Sequence, residues 1–87
     1  MPTFTVDDLG ALLGEVAGEG AGPGPAAADT SYADLGYDSL ALLEVSVRVR
    51  QTLGVEVPED AVAVTATPAQ TVAQINEILA NPPVSTA

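Results

Sequence analysis

The chain has 87 residues, 47% of them hydrophobic but only 3% aromatic, and twelve acidic side chains against two basic ones give a formal net charge of -10. Its length sets one modest core, and its charge excludes nucleic acid and anionic membrane surfaces as partners, because binding phosphates takes clustered Lys and Arg. With no Cys and no His, the chain has no disulfide framework, no thiolate, no common zinc ligand and no usual general base, which argues against an enzyme working alone and against a metal centre.

A core of Leu, Val, Ile and Ala with so few aromatics suits packed helices. The acidity has two readings: it steers the domain to a basic protein surface, or it only keeps a small domain soluble. The N-terminal MPTFTVDDLG lacks a basic start followed by an apolar run, and no segment has the length of a membrane span. A cytoplasmic protein is therefore expected.

The pattern predicts an all-α, small four-helix bundle, three longer helices and one short third helix, with a long loop between the first two. The first helix covers about residues 5–17: Thr5 can cap it, Asp7 and Asp8 suit its first turn, and Leu9, Leu12, Leu13 and Val16 recur on one face. Gly10 and Gly14 each weaken it by about 1 kcal/mol relative to Ala, so it leans on tertiary contacts. GEGAGPGPAAADT ends it and opens a loop that reaches Asp38, with Tyr32 and Leu35 as anchors. The second helix covers residues 39–53, with Asp38 as N-cap and Gly54 just past its end. Pro58 opens a short third helix at about 59–64, and Thr67-Pro68 opens the last, at 68–80, with Val72, Ile75 and Leu79 inward. NPP stops that helix, leaving residues 81–87 as a loose tail.

The second helix bears two apolar stripes. Leu42, Val45, Val49 and Leu53 share a core face, whereas Leu40, Leu43 and Val47 lie on another arc beside Glu44 and Gln51, with Leu43 at the edge between them. That second arc is either covered by the first and last helices or is an exposed apolar strip for protein contact. Spacing alone leaves both open.

Ser39 stands where loop becomes helix. It is no nucleophile in its own right, because the chain has neither His nor Lys and the motif is not G-x-S-x-G. A calcium loop fails too: with Gly36 at the invariant glycine, the earlier ligand positions fall on Ser31, Ala33 and Leu35. Asp38 and Ser39 are then either a cap and a first-turn residue only, or Ser39 is acted upon by another protein. A phosphate ester at a helix start would meet backbone N–H groups and the positive end of the helix dipole, with the charge of Asp38 partly opposing it.

DLGYDSLALLEV, residues 34–45, resembles the modification site of acyl carrier proteins, in which the serine of D-S-L receives 4′-phosphopantetheine from coenzyme A. The resemblance runs through TVDDLGALLGEVAGE, GYDSLALLEVSVRVRQTLGVEVPED and TPAQTVAQINEILA. The Gly36-Tyr37 pair and the SLALLE run look most like the stand-alone carriers of bacterial type II aromatic polyketide synthases, and the Gly-Gly pair usual in peptidyl carriers is absent. The resemblance implies a single acyl-carrier domain over residues 1–87, a non-catalytic monomer modified in trans by a phosphopantetheinyl transferase that brings Mg²⁺ and the base. Ser39 would hold the cofactor, and Asp38 would cap the helix and be recognised by the transferase. Leu40, Leu43, Glu44 and Val47 would meet partners: ketosynthase and chain-length factor, malonyl acyltransferase, ketoreductase and cyclases. The thiol that carries malonyl and growing polyketide chains would belong to the cofactor.

The sequence departs from the family pattern in places. Arg48 and Arg50 sit on a helix that is more uniformly acidic in many carriers; Arg48 can pair with Glu44 at i, i+4, and Arg50 lies near the Leu43 edge. Where related polyketide carriers have basic residues, this chain has Gly10, Ala11 and Ala69, which implies a weaker hold on a polyketone chain; Asn76 matches a polar residue that could approach one. Other readings are a fatty acyl or aminoacyl carrier, or an acidic helical interaction module never modified at Ser39.

Overall fold

The computed structural model describes residues 4–18 and 24–80, and every regular element among them is helical. They are α1 (Val6–Ala17), the single turn α2 (Tyr32–Leu35), α3 (Ser39–Leu53) and α4 (Pro68–Ala80), with 3-10 turns at Pro25–Ala27 and Glu59–Val62. Each long helix starts where a side chain can take up an orphan backbone N–H. Thr5 and Asp8 bond each other's backbone amides in a reciprocal box at the head of α1, Asp38 caps α3, and Thr67 with Gln70 repeats the box at the head of α4. Gly54, at φ 73, ends α3 in the left-handed conformation that favours glycine.

α1 packs on both α3 and α4. The core consists of Leu9 and Leu13 from α1, Leu42, Val45 and Val49 from α3, Ile75 from α4, and Phe4, Tyr32 and Ala66 from the connections. Leu12, Val16, Leu35, Leu53, Val72 and Leu79 are half-buried around it, so the faces expected from sequence are the faces that pack. The two weakening glycines, Gly10 and Gly14, are both buried in α1.

Two expectations need correcting. The third helix is a 3-10 turn that ends at Val62, short of Val64, because the next residues serve a different purpose. Ala63 is extended, and the carbonyls of Val64 and Ala66 accept from the amides of Ala33 and Tyr32, both at 2.9 Å. The same bonds explain the second correction: the long connection is not plain loop, but holds the Pro25–Ala27 turn and α2. It is also tied to α4 by Ala69 N–H donating to Ala28 O at 2.9 Å. The expected tail, residues 81–87, lies outside the described residues.

A buried polar junction sits under this connection. Thr71 is fully buried and its hydroxyl donates to Ala61 O. That uses its one proton, so the Tyr32 phenol 2.6 Å away is the donor to Thr71 Oγ1. One threonine thereby links α4, the 59–62 turn and α2. Burial pushes the Tyr32 phenol from 10.0 up to about 12, and Tyr37 adds to the rise.

Thr71→Val leaves the Tyr32 hydroxyl and the Ala61 carbonyl buried without partners, at an expected cost of about 1–3 kcal/mol in urea unfolding. Tyr32→Phe costs less, and the double variant costs less than the sum of the two, because the second change removes the donor that the first has orphaned. The pH dependence follows from the raised phenol. Below pH 10 it is protonated in both states and contributes no slope; between 10 and about 12 the unfolded chain loses the proton first, so stability falls with pH in that window. Unfolding midpoints measured across it should fall more steeply for wild type than for Tyr32→Phe.

Candidate functional site

The entrance to α3 is built by three consecutive residues. Gly36, at φ 89, ends α2 in the left-handed conformation, and the next amide, Tyr37 N–H, donates back to Tyr32 O at 2.9 Å. The Tyr37 ring stands edge-on to Tyr32, with centroids 6.3 Å apart and planes at 88°, a favoured aromatic geometry. Asp38 is extended, and its Oδ1 accepts from Ala41 N–H at 2.8 Å. The chain therefore enters α3 in one fixed direction.

Ser39 is the first residue of that helix and is exposed. Among the described residues its hydroxyl has no hydrogen-bond partner. An oxygen so placed projects from a rigid helix end into solvent, beside the positive end of the dipole, where a phosphodiester is well accommodated. Among the described residues no three His, Cys, Asp or Glu side chains gather to hold a metal ion, and no helix is long and apolar enough to cross a membrane.

The second stripe of α3 is open to solvent. Leu40, Leu43 and Val47 are exposed by 73, 60 and 45%, the large apolar side chains most exposed among the described residues, so α1 and α4 leave that arc uncovered. Glu44 flanks it, exposed and paired with Arg48 at 3.9 Å. Sequence anticipated that pair but not the stronger one: Arg48 also meets Glu15 of α1 at 3.4 Å, so it staples two helices. Arg50 reaches Glu56 at 3.7 Å, and the two form part of the wall of a shallow cavity of about 260 Å³ that Leu43, Ser46, Val47 and Val57 also line. Glu56 and Val57 were not legible as part of this face, since only the fold sets the 54–58 segment alongside α3.

Asn76 is occupied elsewhere. Its Oδ1 accepts from Phe4 N–H and its Nδ2 donates to Phe4 O, each at 2.9 Å, so both ends of the amide clamp the N-terminal segment to α4. A larger apolar groove, about 570 Å³ and lined by Phe4, Leu12, Leu53 and Leu79 among others, lies towards the far end of α3. Fourteen residues at about 1.5 Å each separate Leu53 from Ser39, which sets this groove apart from the serine.

Residues 7–75 match the family model described as phosphopantetheine attachment site. The chain is 40% identical over 79 residues to the monensin polyketide synthase acyl carrier protein of Streptomyces virginiae, covering 88% of this chain and 89% of that one. It is similar in structure to the oxytetracycline acyl carrier protein in solution, with TM-score 0.82 and 36% identity, covering 100% of this chain and 94% of the other. It is also similar to the 3,5-dioxohexyl form, a triketide mimic, of the carrier from the actinorhodin synthase of Streptomyces coelicolor, with TM-score 0.77, 37% identity and coverage of 94% and 98%. An exposed serine at the head of a capped helix, within a match that spans most of the chain, has one family reading: this chain belongs to the phosphopantetheine-bearing acyl carrier proteins of type II polyketide synthases.

Proposed function

We propose that Ser39 is the attachment residue and that residues 1–87 act as one monomeric carrier in the cytoplasm, presenting malonyl and growing polyketide chains as thioesters to the enzymes of an aromatic polyketide synthase. The observation that carries this is the exposed Ser39 hydroxyl at the rigid, Asp38-capped start of α3. The polyketide cargo is supported by relatives that are themselves polyketide synthase carriers.

In the loading step Ser39 Oγ attacks the phosphorus of coenzyme A that bears the pantetheine. The P–O bond of the pyrophosphate breaks, the adenine nucleotide leaves, and the hydroxyl proton passes to a base on a phosphopantetheinyl transferase that also brings Mg²⁺. When bound, the group supplies the thiol that a cysteine-free chain lacks. What the chain contributes is position. The Asp38 cap and the Gly36-Tyr37 turn hold the oxygen outward, and the charge of Asp38 serves recognition by the transferase.

Leu40, Leu43, Glu44 and Val47 are the docking residues in this reading. Their partners are the ketosynthase with its chain-length factor, the malonyl acyltransferase, the ketoreductase and the cyclases. A small apolar strip within an acidic field suits contacts that must form fast and part fast. With Asn76 committed to Phe4, and Gly10, Ala11 and Ala69 offering no charge, the domain grips a polyketone chain weakly.

Intact-protein mass spectrometry after incubation with coenzyme A, Mg²⁺ and a broad-specificity transferase should find one phosphopantetheine on wild type and none on Ser39→Ala. Asp38→Asn, which can still cap, should load at least about tenfold more slowly with the fold unchanged, whereas Asp38→Ala should also lose about 1 kcal/mol of stability. A folded wild type that takes no group would return Ser39 to a helix-start residue and the chain to an unmodified interaction module. Charging of the loaded protein with an amino acid by an adenylating ligase, and not with malonyl by an acyltransferase, would move the cargo to the aminoacyl class.

A further inference from the structure

The exposed strip of α3 has charges of opposite sign nearest to it on its two sides. Glu44 stands on the flank towards α1 and Arg50 on the flank towards the 54–58 segment, about 120° apart around the helix and about 9 Å apart along it. The chain has only two basic side chains, and they are not equivalent. Arg48 is drawn in, its side chain 36% exposed and shared between Glu15 and Glu44. Arg50 is 69% exposed, and its partner Glu56 is 83% exposed at 3.7 Å. Such a surface pair contributes little to folding, so Arg50 can exchange its partner at small cost.

We propose that Arg50 is an orientation key: it pairs with a carboxylate on the docking enzyme and so fixes the rotation at which α3 is received. The proposal rests on the reading of this face as the docking surface given above. A rim of one sign attracts a basic partner but does not tell it which way to sit, because any rotation about the strip keeps the attraction. A positive group on one flank removes that degeneracy. An enzyme surface that is basic throughout brings a like charge against Arg50 at the edge of the apolar contact, where water is being expelled and repulsion is strongest. The surface that fits has an apolar seat for Leu40, Leu43 and Val47, a basic group against Glu44 and an acidic group against Arg50. The shallow cavity between Leu43 and Val57 has Arg50 and Glu56 on its wall, so a side chain entering it approaches the pair directly.

The test uses the phosphopantetheinylated protein with the ketosynthase and chain-length factor of the same synthase, measuring KM for the carrier and kcat separately at low and high salt. Arg50→Glu should raise KM about tenfold with kcat unchanged, Arg50→Ala about threefold, and Glu56→Gln, which frees Arg50, should lower it; the differences should shrink at high salt. A carboxylate-to-arginine change on the ketosynthase face should restore Arg50→Glu, which a general loss of fold would not allow. An unchanged or lowered KM for Arg50→Glu would overturn the proposal by showing a partner face that is basic throughout. So would an equal slowing of Ser39 loading, which would mark a loss of general steering or fold. Mass spectrometry before the kinetic assay separates the two claims: a wild type with no group on Ser39 sinks the carrier reading itself, whereas a fully loaded Arg50→Glu with unaltered KM sinks only the key.

Discussion

The rotation of α3 about its own axis decides nearly everything else in this protein. Leu42, Val45 and Val49 are buried to zero or nearly zero exposure, and their burial stabilises the fold by about 1.5–3 kcal/mol each. Turning the helix by one residue's angle would put at least one of them in water. With that face fixed, Leu40, Leu43 and Val47 have nowhere to point but outward, and Ser39 is carried to an exposed corner at the helix head. The exposure of the apolar strip is therefore a consequence of the core, not a cost set against it.

The connection before α3 is held by a different kind of interaction. An 87-residue chain with three aromatic side chains has little apolar area with which to anchor a long crossing segment, and it uses hydrogen bonds instead. Tyr32 and Ala33 donate their amides to the 64–66 segment, Ala69 donates to Ala28, and the Tyr32 phenol closes on Thr71. Inside a core such bonds are demanding, since a missing partner costs more than a formed bond contributes. They also confer direction, which apolar packing lacks. Gly36 and Tyr37 can set the entry angle of α3 because Tyr32 is already fixed on both its backbone and its ring.

Much of this was legible in the sequence because it is local. The caps at Thr5, Asp38 and Thr67, the stop at Gly54 and the buried faces of the long helices each depend on residues within a few positions of one another, and the structure agrees with them. Tyr32 and Leu35 could be named as anchors because a large apolar residue inside a polar loop has few other uses. What sequence missed is long-range. Thr71 falls on the inward face of α4 beside Val72, but nothing in a single sequence says that its hydroxyl serves Ala61 and Tyr32. Arg48 was paired with its neighbour on the same helix, and the shorter contact to Glu15 needed the packing of α1. Asn76 illustrates the same limit: its amide clamps Phe4, 72 positions away. The short third helix stops two residues earlier than expected for a related reason, since Ala63 is extended and the Val64 carbonyl bonds α2.

The division of labour between the two arginines bears on how a protein with no catalytic role can still be selective. Specificity is a difference between affinities and does not require that any one affinity be high. A net charge of -10 raises the rate of encounter with every basic surface alike, so on its own it draws the carrier to its enzymes without choosing among them. Enlarging the apolar strip would lengthen each complex and slow the next transfer. An exposed cation beside the strip adds discrimination with almost no added binding, because it lowers the affinity of wrong orientations and leaves the right one nearly unchanged. Arg48 cannot serve in this way while it holds α1 to α3. Arg50, tied only to another exposed side chain, can.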